Sequence, residues 1–263
     1  MNRVGQLFDL SGRTAAITGA ASGMGRATAY LLSDAGANVI LGDVNADGLA
    51  ETARTIEDNG GNVSSVVTDV TRKADVDALV AKAVADFGRL DIMGNIAGLM
   101  LGRDLVVDAT EADLDMVMDV NFKGVWYGCQ AAMRAMMPQG SGSIVNISST
   151  AIDAPGAPGS SAYSVSKASV AMLTKVLATE AAPHGIRVNA ISPGWVRSGF
   201  TRKQKDTDEE FEAWQEERRL GIPLQIAGLP EHVAHMLLWL VSDAADYVTG
   251  QNIRPNGGTY MPW

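Results

Sequence analysis

Thr14-Ala15-Ala16-Ile17-Thr18-Gly19-Ala20-Ala21-Ser22-Gly23-Met24-Gly25 is the stretch that decides the fold. Its first five residues are small, apolar or β-branched, the composition of a short strand buried on both faces. Glycines then crowd the turn, and an amphipathic helical pattern follows from Gly23 to Ala35. Such glycines permit a tight turn and a close backbone approach to a pyrophosphate. The helix N-terminus adds unpaired N–H groups and the positive end of its dipole. A glycine-rich turn alone says little, but a strand before it and a helix after it supply the required context. Gly19, Ser22, Gly23, Met24 and Gly25 are therefore candidate phosphate contacts.

The same rhythm continues outward. Further strands are predicted at Asn38–Gly42, Val63–Thr68, Leu90–Gly94, Ser143–Ile147, Arg187–Ile191 and Asn252–Arg254. Helices are predicted near Ala46–Asn59, Lys73–Phe87, Glu111–Met137, Ala162–Ala182 and Pro230–Ser242, the third of these broken at Asn121 or Gly124. Strand alternating with helix predicts an α/β fold: a doubly wound parallel sheet of about seven strands with helices on both faces, of the Rossmann type. With no Pro/Ser/Gly linker and no internal repeat, residues 1–263 read as a single domain. From about Ser198 to Leu220 the chain turns highly charged, punctuated by Phe200, Phe211 and Trp214. This reads either as a solvated surface helix or as a lid over a substrate.

Asp43 closes the second strand. A carboxylate there can bond both hydroxyls of an adenosine ribose and repel a 2′-phosphate. Val44 beside it is uncharged, and no Arg or Lys precedes Gly23 in the turn, so NAD is expected rather than NADP. The alternative for Asp43 is a helix cap. Asp69, at the end of the third strand, either bonds an adenine amino group or caps the next helix.

A net charge of −9 argues against non-specific nucleic-acid binding. No apolar run reaches membrane-spanning length, and the start lacks a secretory layout. The single Cys129 excludes an intrachain disulfide, and no Cys/His spacing resembles a metal site. A cytoplasmic protein without a metal is expected.

Tyr163 and Lys167, four apart on a predicted helix, share a face. Unit charges about 4 Å apart at an effective dielectric near 20 interact by roughly 4 kcal/mol, on the order of 3 pKa units. On that basis the ammonium is expected to lower the phenol's pKa toward neutrality and make it a general acid/base.

Taken together, Thr18–Gly25, Asp43, Asp69-Val70, Asn95-Ile96-Ala97-Gly98, Asn121, Ile147-Ser148-Ser149, Tyr163–Lys167 and Pro193-Gly194 resemble the short-chain dehydrogenase/reductase family over nearly the whole chain. The resemblance implies a catalytic tetrad. Asn121 would hold a water linking the lysine to a proton relay, and Ser149 would polarise the substrate oxygen. Tyr163 would exchange the proton, while Lys167 would lower its pKa and bond the nicotinamide ribose. It also implies cofactor contacts from Val70, Asn95, Ala97, Gly98, Pro193, Gly194, Val196 and Ser198. The chain departs from the family pattern at Ile96, where asparagine is usual, and at Ser198, where threonine is usual. Asn256 stands where aspartate is common, and the Ser149-to-Tyr163 interval is one residue longer.

Met100, Ile152, Trp195 and Phe200, with Leu99 and Ser149, are the candidate substrate residues, mostly apolar. An NAD(H)-dependent oxidoreductase for an apolar secondary alcohol or ketone is thus expected. An NADP-dependent 3-oxoacyl-thioester reductase and a non-catalytic nucleotide-binding scaffold are the alternatives. Relatives commonly form tetramers. The small and methionine residues Ala131, Ala132, Met133, Ala135, Met136 and Met137 suit either a two-fold interface or the core. The aromatic tail Thr259–Trp263 reads as docking on a neighbouring subunit or over a pocket.

Overall fold

The computed structural model describes residues 2–101, 104–154, 158–198 and 207–261. A short helix α1 (Arg3–Leu7) leads into β1 (Thr14–Thr18), all five of whose residues are buried. Then come α2 (Gly23–Asp34), β2 (Asn38–Asp43), α3 (Ala46–Asp58), β3 (Val63–Val67), α4 (Lys73–Phe87) and β4 (Ile92–Asn95). The second half contains α5 (Glu111–Met118), α6 (Gly124–Met136), β5 (Gly142–Ile147), α7 (Ser161–Ala181) and β6 (Ile186–Ile191). Helices α8 (Asp208–Leu220) and α9 (Pro230–Val241) and strand β7 (Asn252–Ile253) complete it. Every strand pairing is parallel, in the order β3-β2-β1-β4-β5-β6-β7.

One apolar core lies on each face of this sheet. Ile17, Leu41, Leu32 and Leu237 sit in the first, where α2 and α9 pack together. Ile40, Leu79, Met93 and Met136 sit in the second, under α4 and α6. Each such fully buried side chain contributes roughly 1.5–3 kcal/mol. The strand order reverses between β1 and β4, which opens a crevice at the carboxyl edge of the sheet.

The long Glu111–Met137 pattern does not break as expected. Asp119–Lys123 forms a π turn, and the helix continues through it into α6. Gly124 permits this close passage, since a Cβ there would lie 2.9 Å from Val70 Cβ. Of the small and methionine residues from Ala131 to Met137, Ala131, Ala132 and Met136 are buried in the core. Met133 and Met137 instead line an outer groove against α7. The charged segment forms a helix where it is described, α8, opened by a Thr207/Glu210 capping box. Phe200 and Trp263 lie outside the described residues.

Candidate active site

A cleft of about 600 Å³ runs along the carboxyl edge of the sheet, from Asp43 over the glycine turn to Tyr163. The turn is built as its composition requires. Gly19 has φ +71°, and a Cβ there would lie 2.9 Å from the Ala97 backbone. A Cβ on Gly25 would lie 2.0 Å from the Gly19 carbonyl oxygen. The Ser22 side chain makes no capping bond at the start of α2. Asp43 accepts from Ala21 N–H at 3.1 Å and from Asn45 N–H at 3.0 Å, which ties its carboxylate to the glycine turn. Asn45, not Asp43, caps α3. Asp69 also lines the cleft. One of its oxygens accepts from the Thr71 N–H and hydroxyl, whereas α4 begins after Arg72.

At the other end, Ser148 and Ser149 separate in role. Ser148 is buried and its hydroxyl donates to the Lys167 carbonyl at 2.8 Å. Ser149 opens on the cleft together with Tyr163, and its hydroxyl favours the Tyr163 phenolate. Asn121, fully buried in the π turn, has both ends of its amide engaged. Its Oδ1 accepts from Leu99 N–H at 2.8 Å, and its Nδ2 donates to the Leu99 carbonyl and to Ser166 Oγ. A Cβ on Gly98 would lie 3.3 Å from both Asn121 Oδ1 and Lys167 Nζ, so glycine lets the chain pass close over the lysine.

The electrostatics correct one expectation. Tyr163 is held above the usual tyrosine range, because burial disfavours its phenolate more than the Ser149 hydrogen bond favours it. Lys167 is 3% exposed, and burial lowers it to about 8. Its Nζ lies 5.9 Å from the Tyr163 ring centroid and donates to the Ile147 carbonyl at 2.9 Å. Helical spacing brought the pair together, but desolvation, which spacing does not report, dominates both groups.

Gly19, Ser22, Gly23, Met24, Gly25, Asp43, Val44, Asp69, Val70, Ala97, Gly98, Met100, Ser149, Tyr163, Lys167, Pro193, Gly194, Trp195, Val196 and Ser198 all border this cleft. Asn95 does not. It is buried beneath, donating to Asn146 Oδ1 at 2.8 Å. Ile152 ends the turn after Ser149 and is not among the lining residues. Conversely, Ile96, Thr68, Val120 and Ile147 line the cleft without having been singled out as contacts. Their positions at or just beyond strand ends were the available signal for Thr68, Ile96 and Ile147. Asn256 has a local reason. It donates to the Tyr260 carbonyl at 2.7 Å and accepts from Gly258 N–H, and a carboxylate cannot make the first bond.

A dinucleotide fits this arrangement. The glycine turn leaves room where a Cβ would intrude, Asp43 marks one end, and Ser149, Tyr163 and Lys167 mark the other. Cys129 is buried with its thiol pushed up to about 12, far from a working nucleophile. No cluster of metal-ligating side chains occurs among the described residues. No helix among them is long and apolar enough to cross a membrane.

Comparison with known proteins agrees with this geometry. A family model described as enoyl-(acyl carrier protein) reductase matches residues 19–260. The chain is 41% identical to 3-oxoacyl-(acyl-carrier-protein) reductase FabG of Thermotoga maritima, over 95% of this chain and 98% of that one. It is 40% identical to 3β-hydroxysteroid dehydrogenase 1 of Eggerthella lenta, over 95% and 94%. A crystal structure of a short-chain type dehydrogenase/reductase from Mycobacterium marinum superposes with TM-score 0.90 at 35% identity, covering 98% of this chain and 99% of that one.

Proposed function

The chain belongs to the short-chain dehydrogenase/reductase family, an oxidoreductase of the alcohol/ketone class, and we propose that it uses NAD(H) on an apolar secondary alcohol or its ketone. The observation that carries this is the Ser149–Tyr163 pair facing the cleft together, with Lys167 buried behind it. In reduction, Tyr163 donates its hydroxyl proton to the substrate oxygen while Ser149 hydrogen-bonds the same oxygen. In oxidation, the phenolate takes that proton back. The bound nicotinamide supplies or accepts the hydride. In this reading Lys167 bonds the nicotinamide ribose. Asn121 holds the Leu99 backbone, next to Gly98, which passes close over the lysine.

Asp43 supports NAD over NADP, because its carboxylate stands where a 2′-phosphate would bring further negative charge. Met100 and Trp195 on the cleft wall support an apolar substrate. Trp195 meets Trp214 of α8 edge-on at 5.6 Å, and Phe211 is 6.1 Å from Trp214, which favours α8 as part of a lid. The second reading, an NADP-dependent 3-oxoacyl-thioester reductase, is favoured by the Thermotoga relative's name and opposed by Asp43.

A homotetramer fits the groove of about 730 Å³ between α6 and α7. There Trp126, Met172 and Val176 are about half exposed, an apolar face suited to a second copy. The reducing cytoplasm fits the single cysteine. The test is a panel of secondary alcohols and ketones assayed with both cofactors. Better use of NADH is expected, and equal or better use of NADPH overturns the cofactor reading. Tyr163→Phe should bind NADH normally and lose roughly a hundredfold or more in turnover. Wild type and variant equally inert across the panel would favour the scaffold alternative.

A further inference from the structure

The segment between Ser149 and Tyr163 is held at its start by an ion pair outside the tetrad. Asp153 follows directly on the turn Thr150–Ile152 that begins at Ser149. Its two carboxylate oxygens accept from Arg254 Nε at 2.5 Å and Nη2 at 2.9 Å. The Asp153 side chain is only 11% exposed and that of Arg254 30%. A planar guanidinium in bidentate contact fixes direction as well as distance, which a single-point contact does not. The third donor of Arg254 goes to the Asn252 carbonyl at 2.9 Å, so the arginine is itself anchored to β7.

β7 backs the Pro193-Gly194 side of the cleft. It pairs with β6, Ser192 donates to Asn252 Oδ1, and Gly194 N–H donates to the Pro255 carbonyl. Thr150 ties in as well, its N–H and hydroxyl both donating to the Pro193 carbonyl at 3.1 Å. The serine turn and the Pro193-Gly194 wall are thus joined twice, once by Thr150 and once by the ion pair. Ser149 Oγ accepts from the Ala151 N–H inside this same turn.

We propose that Arg254 and Asp153 are a positioning pair: they hold the turn carrying Ser149 so that its hydroxyl meets Tyr163. This rests on the acid/base role given to Tyr163 above. Neither residue touches the reacting atoms. They act by fixing where Ser149 stands.

The experiment uses Arg254→Lys, Arg254→Met and Asp153→Asn in the full-length protein, with folding checked by circular dichroism. An ultraviolet difference titration of each protein against its Tyr163→Phe counterpart isolates the Tyr163 phenol and needs no turnover. Loss of about 1 kcal/mol of hydrogen bonding to the phenolate corresponds to a rise of roughly 0.7 pKa units. A rise of that order is expected for Arg254→Met, smaller for Arg254→Lys. In turnover, kcat should fall roughly tenfold to a hundredfold, as for a displacement of about 1 Å, with KM for the cofactor within twofold. Asp153→Asn combined with Arg254→Met should be no worse than Arg254→Met alone.

Folded variants with an unmoved phenol titration and kcat within twofold of wild type overturn the proposal. Lower stability with an unmoved titration means a merely structural tie, and also overturns it. A shifted titration in a protein without turnover upholds the positioning role and counts against the enzymatic reading instead.

Discussion

Replacing Lys167 by methionine, in a Tyr163→Phe background, should stabilise the protein at neutral pH and cease to do so in alkali. The background removes the neighbouring phenol, so the lysine alone titrates in the comparison. Lys167 is 3% exposed, and burial brings it from 10.5 to about 8. The folded pKa of this base is depressed. Below about 8 both folded and unfolded chains carry the proton, and the folded state bears the full cost of a buried ammonium. Between about 8 and 10.5 the folded state has released the proton while the unfolded chain retains it, so stability rises with pH. Above 10.5 both are neutral and the cost is gone. At about 1.36 kcal/mol per pKa unit the whole effect is roughly 3 kcal/mol. Urea denaturation of both proteins, at one protein concentration and at steps from about pH 7 to pH 10.5, measures it. The advantage of methionine should shrink by roughly 3 kcal/mol across that window. An advantage constant to within about 0.5 kcal/mol would refute the claim that desolvation governs this lysine. The point bears on catalysis, because a lysine that sheds its proton near pH 8 lends its charge to Tyr163 only below that pH.

Three further outcomes are expected. Tyr163 lies above the usual tyrosine range, so carbonyl reduction, which needs its proton, should be flat through neutral pH and fall in alkali. Alcohol oxidation, which needs the phenolate, should rise with pH over the same range, and rate profiles sloping the other way would contradict the assignment. Gly25→Ala forces a Cβ to 2.0 Å from the Gly19 carbonyl oxygen, so the turn must open. NADH affinity should drop about tenfold or more with circular dichroism unchanged, and affinity within twofold of wild type would show the close approach to be dispensable. Trp126→Glu together with Met172→Glu places charges on the groove between α6 and α7. Light scattering should report a smaller assembly, and an unchanged mass would exclude this face as the interface.

The alternation of strand and helix, the glycine turn, Asp43 and the Tyr163/Lys167 spacing were all legible in the chain. Each depends on local chemistry: side-chain periodicity, φ freedom at Gly19, and i, i+4 adjacency. Other features needed residues distant in sequence to meet. Ser148 and Ser149 look alike until the first is seen to bond the Lys167 carbonyl and the second to face Tyr163. Asn95 stands in a family motif, yet it is buried against Asn146. Ile152 lies close to Ser149 along the chain, but the turn carries it away from the cleft. The direction of the Tyr163 and Lys167 shifts followed from burial, a property of the packed chain that no spacing encodes. Asp153 follows β5 and Arg254 follows β7, and only the parallel pairing of β5, β6 and β7 brings these distant segments together. Local pattern therefore determined which elements form and which side chains are eligible for chemistry. Tertiary packing decided which of them water reaches, because desolvation and long-range hydrogen bonds exist only once the sheet has closed around them.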